Sequence, residues 1–240
     1  MGDVRIRLGP RKAFLFDLFH TLTGDERAWS GVPSTSEFLG IDGRVWLRLL
    51  EESSPDRLCG RERDPFRILR SLADQARPGI PDEKIRQAVL NRTARFRQGL
   101  LGIPAGNVAV LRRLRADGLA LALVSNADVM EAAAFDECPL AGVFDVVSFS
   151  CDVGYAKPDR RIFEHTLSAL GVAPEEAVFV GDGGSNELCG ARELGLATVL
   201  MTGLIRSLWP ERIPALRRCA DHEISSLEEL LQVTGEPDRK

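Results

Sequence analysis

Short, unbroken runs of hydrophobic residues recur along the chain and alternate with stretches in which hydrophobic residues follow helical spacing. Such a run is typical of a strand buried on both faces of a parallel sheet. The first run begins at Ala13 and leads directly into a carboxylate, Asp17. Later runs predict strands at residues 119–124, 143–149, 177–180, 197–201 and 221–224. Strands that alternate with helices indicate an α/β fold with a doubly wound, mostly parallel sheet.

The first two predicted strands are separated by a stretch much longer than the others. Their starts lie 106 residues apart, whereas a strand-helix-strand unit needs only about 30 residues. Hydrophobic residues within this stretch recur at helical spacing, for example around Trp46 and Leu69, and residues 53–56 predict a turn. The sequence thus predicts an inserted all-helical cap domain, residues 24–102, and an α/β core domain, residues 1–23 and 103–240.

Composition places the chain among ordinary soluble globular proteins, with 44% hydrophobic and 28% charged residues. The net charge of −4 and the absence of a block of like charges predict neither a nucleic-acid partner nor a membrane partner. The first residues are too charged for a signal peptide, and no hydrophobic run reaches the roughly 18 residues that a membrane span needs. We therefore expect a cytoplasmic protein, whose oligomeric state the sequence leaves open.

Five cysteines are scattered along the chain, and no pair has the Cys-x-x-Cys spacing. An odd number of widely spaced cysteines indicates neither a disulfide framework nor a zinc site. We expect them to be reduced and structural.

Polar side chains follow several of the predicted strands. Each has an ordinary explanation when taken alone: Ser125 as a helix cap, Asp182 as a turn residue, Lys157 as a solvated charge. Carboxyl ends of parallel strands meet at one edge of a sheet, where α/β proteins bind ligands. The residues that converge there are Asp17, Ser125, Asn126, Lys157, Asp182 and Glu187.

Three of these residues, Asp17, Asp182 and Glu187, are carboxylates that would repel one another. Carboxylate oxygens without nearby His or Cys are the ligands that Mg²⁺ selects. Lys157 and the hydroxyl of Ser125 would complete a cradle for an oxyanion, with the cation neutralising a phosphoryl group as it is transferred. The sequence therefore predicts a magnesium site that acts on a small phosphorylated substrate.

These motifs resemble those of the haloacid dehalogenase-like hydrolases. The family has an apolar strand followed by Asp-x-Asp-x-Thr/Val-Leu, a strand that ends in Ser or Thr, a Lys that often precedes Pro, and Gly-Asp with a second acid a few residues later. The corresponding segments here are Asp17-Leu-Phe19-His20-Thr21-Leu22, Val124-Ser125-Asn126, Lys157-Pro158 and Gly181-Asp182 with Glu187. The four motifs occur in order over residues 12–233, and the resemblance implies a Rossmann-like core with a helical cap.

The resemblance also implies roles for individual residues. Asp17 is expected to be the nucleophile, which forms an aspartyl-phosphate that water then hydrolyses. The expected substrate-binding residues are Thr21, Ser125, Asn126 and Lys157. The expected metal ligands are Asp17, the main-chain carbonyl of Phe19 and Asp182, together with Glu187, which would act directly or through water. The cap would set substrate choice and exclude water.

One position departs from the family's phosphatases, in which the second Asp of the first motif serves as general acid and base. Phe19 stands there and carries no proton, so His20 is a candidate substitute. An aromatic residue at this place resembles the dehalogenase branch, which needs no metal, yet Asp182 and Glu187 keep the acidic metal motif. The alternatives to a phosphatase are therefore a dehalogenase of small haloacids or a protein that binds phosphate without turnover.

The substrate itself is not encoded in any motif of the sequence. Three cap aromatics, Trp29, Phe38 and Trp46, either line the substrate pocket or belong to the hydrophobic core of the cap.

Overall fold

The computed structural model describes residues 11–25, 29 and 31–232. These residues form a six-stranded sheet with the spatial order β3-β2-β1-β4-β5-β6, in which every neighbouring pair is parallel. The strands are β1 Ala13–Phe16, β2 Ala120–Ser125, β3 Val146–Phe149, β4 Ala177–Gly181, β5 Ala197–Met201 and β6 His222–Ile224. The prediction of a doubly wound parallel sheet is confirmed.

Alternate residues of the central strands enter two different hydrophobic cores. Phe14 and Phe16 pack on one face of the sheet, where α6 (Ala105–Ala116) and a 3₁₀ helix, Leu227–Gln232, cover them. Leu15 packs on the other face, under α9 (Arg160–Leu170) and α10 (Glu187–Leu194). Because both faces are covered, both sets of alternating positions must be apolar, which explains the unbroken hydrophobic runs.

Between β1 and β2 the chain forms the predicted helical insertion. Its helices are α1 Thr35–Leu39, α2 Gly43–Glu52, α3 Ser54–Arg57, α4 Pro65–Ala76 and α5 Asp82–Leu101. They enclose a third hydrophobic core that includes Trp46, Leu69 and Ile85. The prediction of a turn at residues 53–56 is wrong, since one turn of helix, α3, begins at Ser54. The exact domain limits at residues 24 and 102 stay a prediction.

Four short helices complete the core around the carboxyl edge of the sheet. They are α7 Val129–Ala132, α8 Ser150–Val153, α11 Ile205–Leu208 and α12 Ile213–Leu216. Met130 of α7 inserts into the hydrophobic core of the cap, so the two parts of the molecule pack directly against each other. Within the described residues, no helix is both long and apolar enough to cross a membrane.

Candidate active site

The candidate site lies at the carboxyl edge of the three central strands. Phe16 of β1 is in register with Leu123 of β2 and with Val180 of β4. Asp17 follows β1, Ser125 ends β2, and Asp182 follows β4, so the central position of β1 places Asp17 between the other two. The convergence predicted from the sequence is therefore present.

Asp17, Asp182 and Glu187 form a buried carboxylate cluster. One oxygen of each lies within 4.8 Å of the others. Burial, together with the charge of Asp17, raises the pKa of Asp182 and raises the pKa of Glu187 well above its ordinary value. Three hard oxygen donors whose charges oppose one another fit a Mg²⁺ ion, which would relieve the repulsion.

Lys157 neutralises part of this cluster. Its Nζ donates to Asp17 Oδ1 and to Glu187 Oε2, both at 2.6 Å. Burial would lower the pKa of Lys157, but the two carboxylates raise it above its ordinary value. The side chain is therefore a fixed ammonium ion, only 2% exposed, against the expected nucleophile.

Glycines at the end of β4 and in the loop that follows it allow the carboxylates of Asp182 and Glu187 to pack against the backbone. A side chain at Gly181 would collide with the Glu187 carboxylate. Gly183 has a φ of 83° and donates its N–H to Glu187 Oε1 at 3.0 Å, while the N–H of Gly184 binds Asp182 Oδ1 at 2.8 Å. Backbone donors thus orient both carboxylates.

The predicted substrate-binding side chains differ in what they contact. Thr21 Oγ1 donates to Asp17 Oδ2 at 2.8 Å. Asn126 exchanges two hydrogen bonds with the backbone of Lys157, at 2.7 and 2.9 Å, and so holds the lysine loop. The hydroxyl of Ser125 is buried and has no protein partner among the described residues. Such an orphaned hydroxyl would gain a partner from a bound phosphoryl oxygen.

Phe19 and His20 point to different neighbours. The ring of Phe19 meets Phe96 of α5 edge to face, with centroids 5.4 Å apart. His20 has a φ of 63°, and its Nδ1 lies 3.8 Å from Asp182 Oδ2. The His20 ring also meets Trp209 edge to face at 5.3 Å. His20 therefore approaches the carboxylate cluster, whereas Phe19 faces the cap. The role of the Phe19 carbonyl as a metal ligand stays a prediction.

A cleft of about 380 Å³ opens between the cap and the core. Pro55 and Leu58 line it on the cap side, and Asn126, Tyr155 and Lys157 on the core side. Lys157 therefore connects this cleft with Asp17, the expected nucleophile, to which its Nζ donates.

The cap and the core are joined by a buried ionic network that the sequence did not reveal. Arg57 of α3 and Arg92 of α5 both contact Asp128 and Glu131, which lie at and within α7. Asp128 also caps α7, by accepting from the N–H of Met130 at 2.9 Å. Because Asp128 lies three residues after Ser125, the cap arginines hold the far end of the loop that follows the orphaned hydroxyl.

A disulfide corrects the prediction that the cysteines are reduced. Cys189 of α10 is bonded to Cys219, with their Cα atoms 4.9 Å apart, while the other three cysteines are free. Thirty residues separate the two in sequence, and the fold brings them together by packing α12 beside the loop after β4. Leu216 of α12 lies against Gly183. The disulfide therefore ties this segment to the helix that begins at Glu187.

The haloacid dehalogenase-like hydrolases match residues 11–195 of the chain. The chain belongs to this family. A phosphoserine phosphatase from Thermus thermophilus is 41% identical to the hydrolase over 110 residues, which cover 45% of this chain and 44% of that enzyme. The chain spans less than half the length of the first curated relatives that it matches.

Solved structures share the fold of the hydrolase. A dehalogenase superposes with a TM-score of 0.68 at 21% identity, over 99% of this chain and 100% of that one. A family enzyme from Bacteroides thetaiotaomicron, in complex with magnesium and inorganic phosphate, superposes with a TM-score of 0.58 at 20% identity, over 80% and 94%. The curated relatives thus include a phosphatase, and the solved structures that share the fold include a dehalogenase and an enzyme in complex with magnesium and inorganic phosphate.

Proposed function

We propose that this hydrolase is a Mg²⁺-dependent phosphatase that acts on a small phosphorylated metabolite through an aspartyl-phosphate on Asp17. The observation that carries the proposal is the buried cluster of Asp17, Asp182 and Glu187 with Lys157 between them. A dehalogenation site has no need of a second and third carboxylate, whereas a magnesium ion that binds phosphate does.

Each residue has a role that its contacts support. Asp17 would hold the ion together with Asp182, Glu187 and the Phe19 carbonyl, and one of its oxygens would attack phosphorus. The bound Mg²⁺ would supply positive charge to the phosphoryl oxygens. Lys157 and Ser125 would bind those oxygens, and the bond from Thr21 to Asp17 fixes the rotamer of the nucleophile.

The absence of a proton donor at Phe19 restricts the leaving group. Protonation of a leaving alkoxide is typically worth about 10²- to 10⁴-fold in rate. The site should therefore favour phosphates whose leaving group departs without a proton, such as acyl or aryl phosphates. The rival donor is His20, whose Nδ1 lies 3.8 Å from Asp182. If His20 is the acid, the protein will hydrolyse alkyl phosphates well, and His20→Ala will abolish that activity selectively.

A second candidate function is hydrolytic dehalogenation of a small haloacid. The observation that favours it is the aromatic residue at position 19, which the dehalogenase branch also carries. In that reaction Asp17 would displace a halide from carbon, and no metal would be required. A catalytically impaired phosphate binder is the remaining possibility.

One set of assays separates these functions. The purified chain is incubated with p-nitrophenyl phosphate in Mg²⁺ or in excess chelator, and with chloroacetate in the absence of metal. We expect phosphate release that requires Mg²⁺ and that falls by orders of magnitude in Asp17→Asn, whose folding is checked by its thermal transition. Halide release without metal would support the dehalogenase. Thermal stabilisation by phosphate without turnover would indicate a binding protein.

A further inference from the structure

Three aromatic rings form a chain from the nucleophile loop into the cap. Phe19 lies two residues after Asp17, and its ring contacts Phe96 of α5. Phe96 in turn meets the indole of Trp29 edge to face, with centroids 5.7 Å apart. The indole lies directly against α5 at Gly99, where any side chain would collide with it. The backbone of α5 is therefore shaped to admit this ring.

These rings are not part of the hydrophobic cores formed by the described residues. Phe96 and Trp29 belong to none of the three clusters, and Phe19 only packs against the edge of one. All three rings are partly exposed, whereas Phe14 and Phe16 of β1 are completely buried. Of the cap aromatics considered from the sequence, Trp46 is in the cap core, but Trp29 reaches the nucleophile loop through Phe96.

Cations lie beside the two cap rings. The guanidinium carbon of Arg92 lies 4.8 Å from the centroid of Phe96, and that of Arg95 lies 5.7 Å from the centroid of Trp29. The charge of Arg92 is neutralised by Asp128 and Glu131, so these contacts hold the rings in place by cation–π attraction and leave the aromatic surface as the feature that a ligand would meet.

We propose that Phe19, Phe96 and Trp29 bind the aromatic leaving group of an aryl phosphate monoester. This inference rests on the proposed function and narrows it. Aromatic pairs in edge-to-face or offset arrangements gain more free energy than their buried area alone provides. A cluster of this kind should therefore bind a ligand that carries an aromatic ring in preference to one that does not. Acyl phosphates also leave without a proton, but their small acyl groups have no ring for the cluster to bind.

The reaction balances without a proton donor at position 19. An oxygen of Asp17 forms a bond to phosphorus, and the bond from phosphorus to the phenolic oxygen breaks, so that the aryl group departs with the electron pair as a phenolate. A phenol such as that of tyrosine has a pKa of about 10, against 15.7 for water, so the phenolate is roughly 5 × 10⁵-fold less basic than hydroxide. Water then attacks the aspartyl-phosphate, the bond from phosphorus to Asp17 breaks with its electron pair returning to the carboxylate, and both protons of the water leave on the phosphate as dihydrogen phosphate.

Three substrates distinguish the effect of the aromatic ring from the effect of the leaving group. Phenyl phosphate has an aromatic ring and a good leaving group, acetyl phosphate has the leaving group without the ring, and cyclohexyl phosphate has a ring of similar size but an alkoxide leaving group. Initial rates of phosphate release are measured with the full chain in Mg²⁺. We expect kcat/KM for phenyl phosphate to exceed that for cyclohexyl phosphate by at least 100-fold.

The test variant is Phe96→Leu, which keeps an apolar side chain but removes the ring. We expect it to lower kcat/KM for phenyl phosphate about 3- to 10-fold, the size of one aromatic contact, mostly through KM, and to leave acetyl phosphate within 2-fold. The matched control is Phe66→Leu in α4, a cap ring that also lies under two guanidinium groups and that, among the described residues, forms no ring contact with Phe19, Phe96 or Trp29. This control should leave kcat/KM unchanged for both phenyl phosphate and acetyl phosphate.

Equal losses for phenyl and acetyl phosphate in Phe96→Leu would overturn the inference while leaving the phosphatase intact. Should that variant not fold, competitive inhibition of the unmodified protein decides: phenol should compete more strongly than cyclohexanol, and equal inhibition would refute the aromatic site. If none of the three substrates is hydrolysed in Mg²⁺, the proposed function itself fails.

Discussion

The buried ionic network between cap and core should make Arg57 one of the most sensitive positions in the molecule. Its side chain is 8% exposed and donates to Asp128 at 2.9 Å, to Glu131 at 3.4 Å and to the carbonyl of Leu50 at 3.2 Å. Arg57→Met retains most of the apolar stem but removes the charge. Two buried carboxylates are then left with Arg92 as their remaining cation in this network.

The magnitude follows from the burial of both partners. Removal of one member of a buried ion pair typically costs about 3–5 kcal/mol, because the other member keeps its desolvation penalty. For a chain of this size, each kcal/mol lowers the midpoint of thermal unfolding by about 2–4 °C. We therefore expect Arg57→Met to lower the midpoint by about 6–20 °C.

Thermal unfolding followed by circular dichroism measures this shift, and Arg63→Met is the matched control. Arg63 also links cap to core, at 2.7 Å from Asp152, but both side chains are about half exposed. An exposed pair contributes about 0–1 kcal/mol. If the two variants lose the same stability, burial does not determine the strength of this contact, and the reasoning is wrong.

The cost of Arg57→Met should also depend on pH. Burial alone would raise the pKa of Asp128, but the charges of Arg92 and Arg57 hold it below its ordinary 3.8. A carboxyl group whose pKa is lowered by folding stabilises the fold at any pH above its pKa in the unfolded chain. This contribution is lost as the pH falls through the pKa that the group has in the folded protein. In the variant this contribution is smaller, because Asp128 has lost one of the two cations that lower its pKa. Glu131 adds to this effect at higher pH, because burial and Asp128 raise its pKa and Arg57 opposes that rise. The difference between parent and variant should therefore shrink as the pH falls through the acid range and further below pH 3.8, and a constant difference down to pH 2 would contradict the assignment.

Three further predictions concern the active edge of the sheet. Asp182→Asn should weaken Mg²⁺ binding at least tenfold by calorimetry without unfolding the chain, and unchanged affinity would remove Asp182 from the ligand set. Phe19→Asp should raise hydrolysis of cyclohexyl phosphate more than that of phenyl phosphate, because it supplies the missing acid; an equal change would refute the leaving-group argument. Replacing Cys189 and Cys219 together by serine should lower the free energy of unfolding in urea by about 3–4 kcal/mol, as expected for a closed loop of 30 residues. The control Cys59→Ser should lower it little, and equal losses would show that the disulfide does not stabilise the fold.

The sequence predicted the sheet well because its signals are local. The unbroken apolar run of β4 is bounded by helical patterns, and the strand lies where that run predicts it. The third strand is shorter than predicted, Val146–Phe149 instead of 143–149. Val143 is buried as an ordinary core residue, but its N–H bonds to the carbonyl of Leu140 in a turn. Hydrophobicity therefore predicted its burial but not its backbone conformation.

The ionic network at the cap and the disulfide could not be predicted from the sequence, because the residues that they join are far apart in the chain. Arg57 and Asp128 are 71 residues apart, and an arginine in an amphipathic helix normally indicates a solvated face. Cys189 and Cys219 have no diagnostic spacing, and only the packing of α12 beside the loop after β4 brings them together. Long-range pairs of this kind are determined by the fold, whereas the motifs that carry the chemistry each lie on a single loop.

The central position of β1 has a consequence for how the chain folds as it is synthesised. The strand is made first, yet its neighbours begin only at Ala120 and Ala177. At about 5–20 residues per second, β1 waits roughly 5–20 s on the ribosome before its first neighbour is made. Meanwhile the cap helices can form from local contacts. The apolar Phe14-Leu15-Phe16 run therefore lacks its neighbouring strands for that time and would benefit from chaperone protection, and it immediately precedes Asp17, the proposed nucleophile.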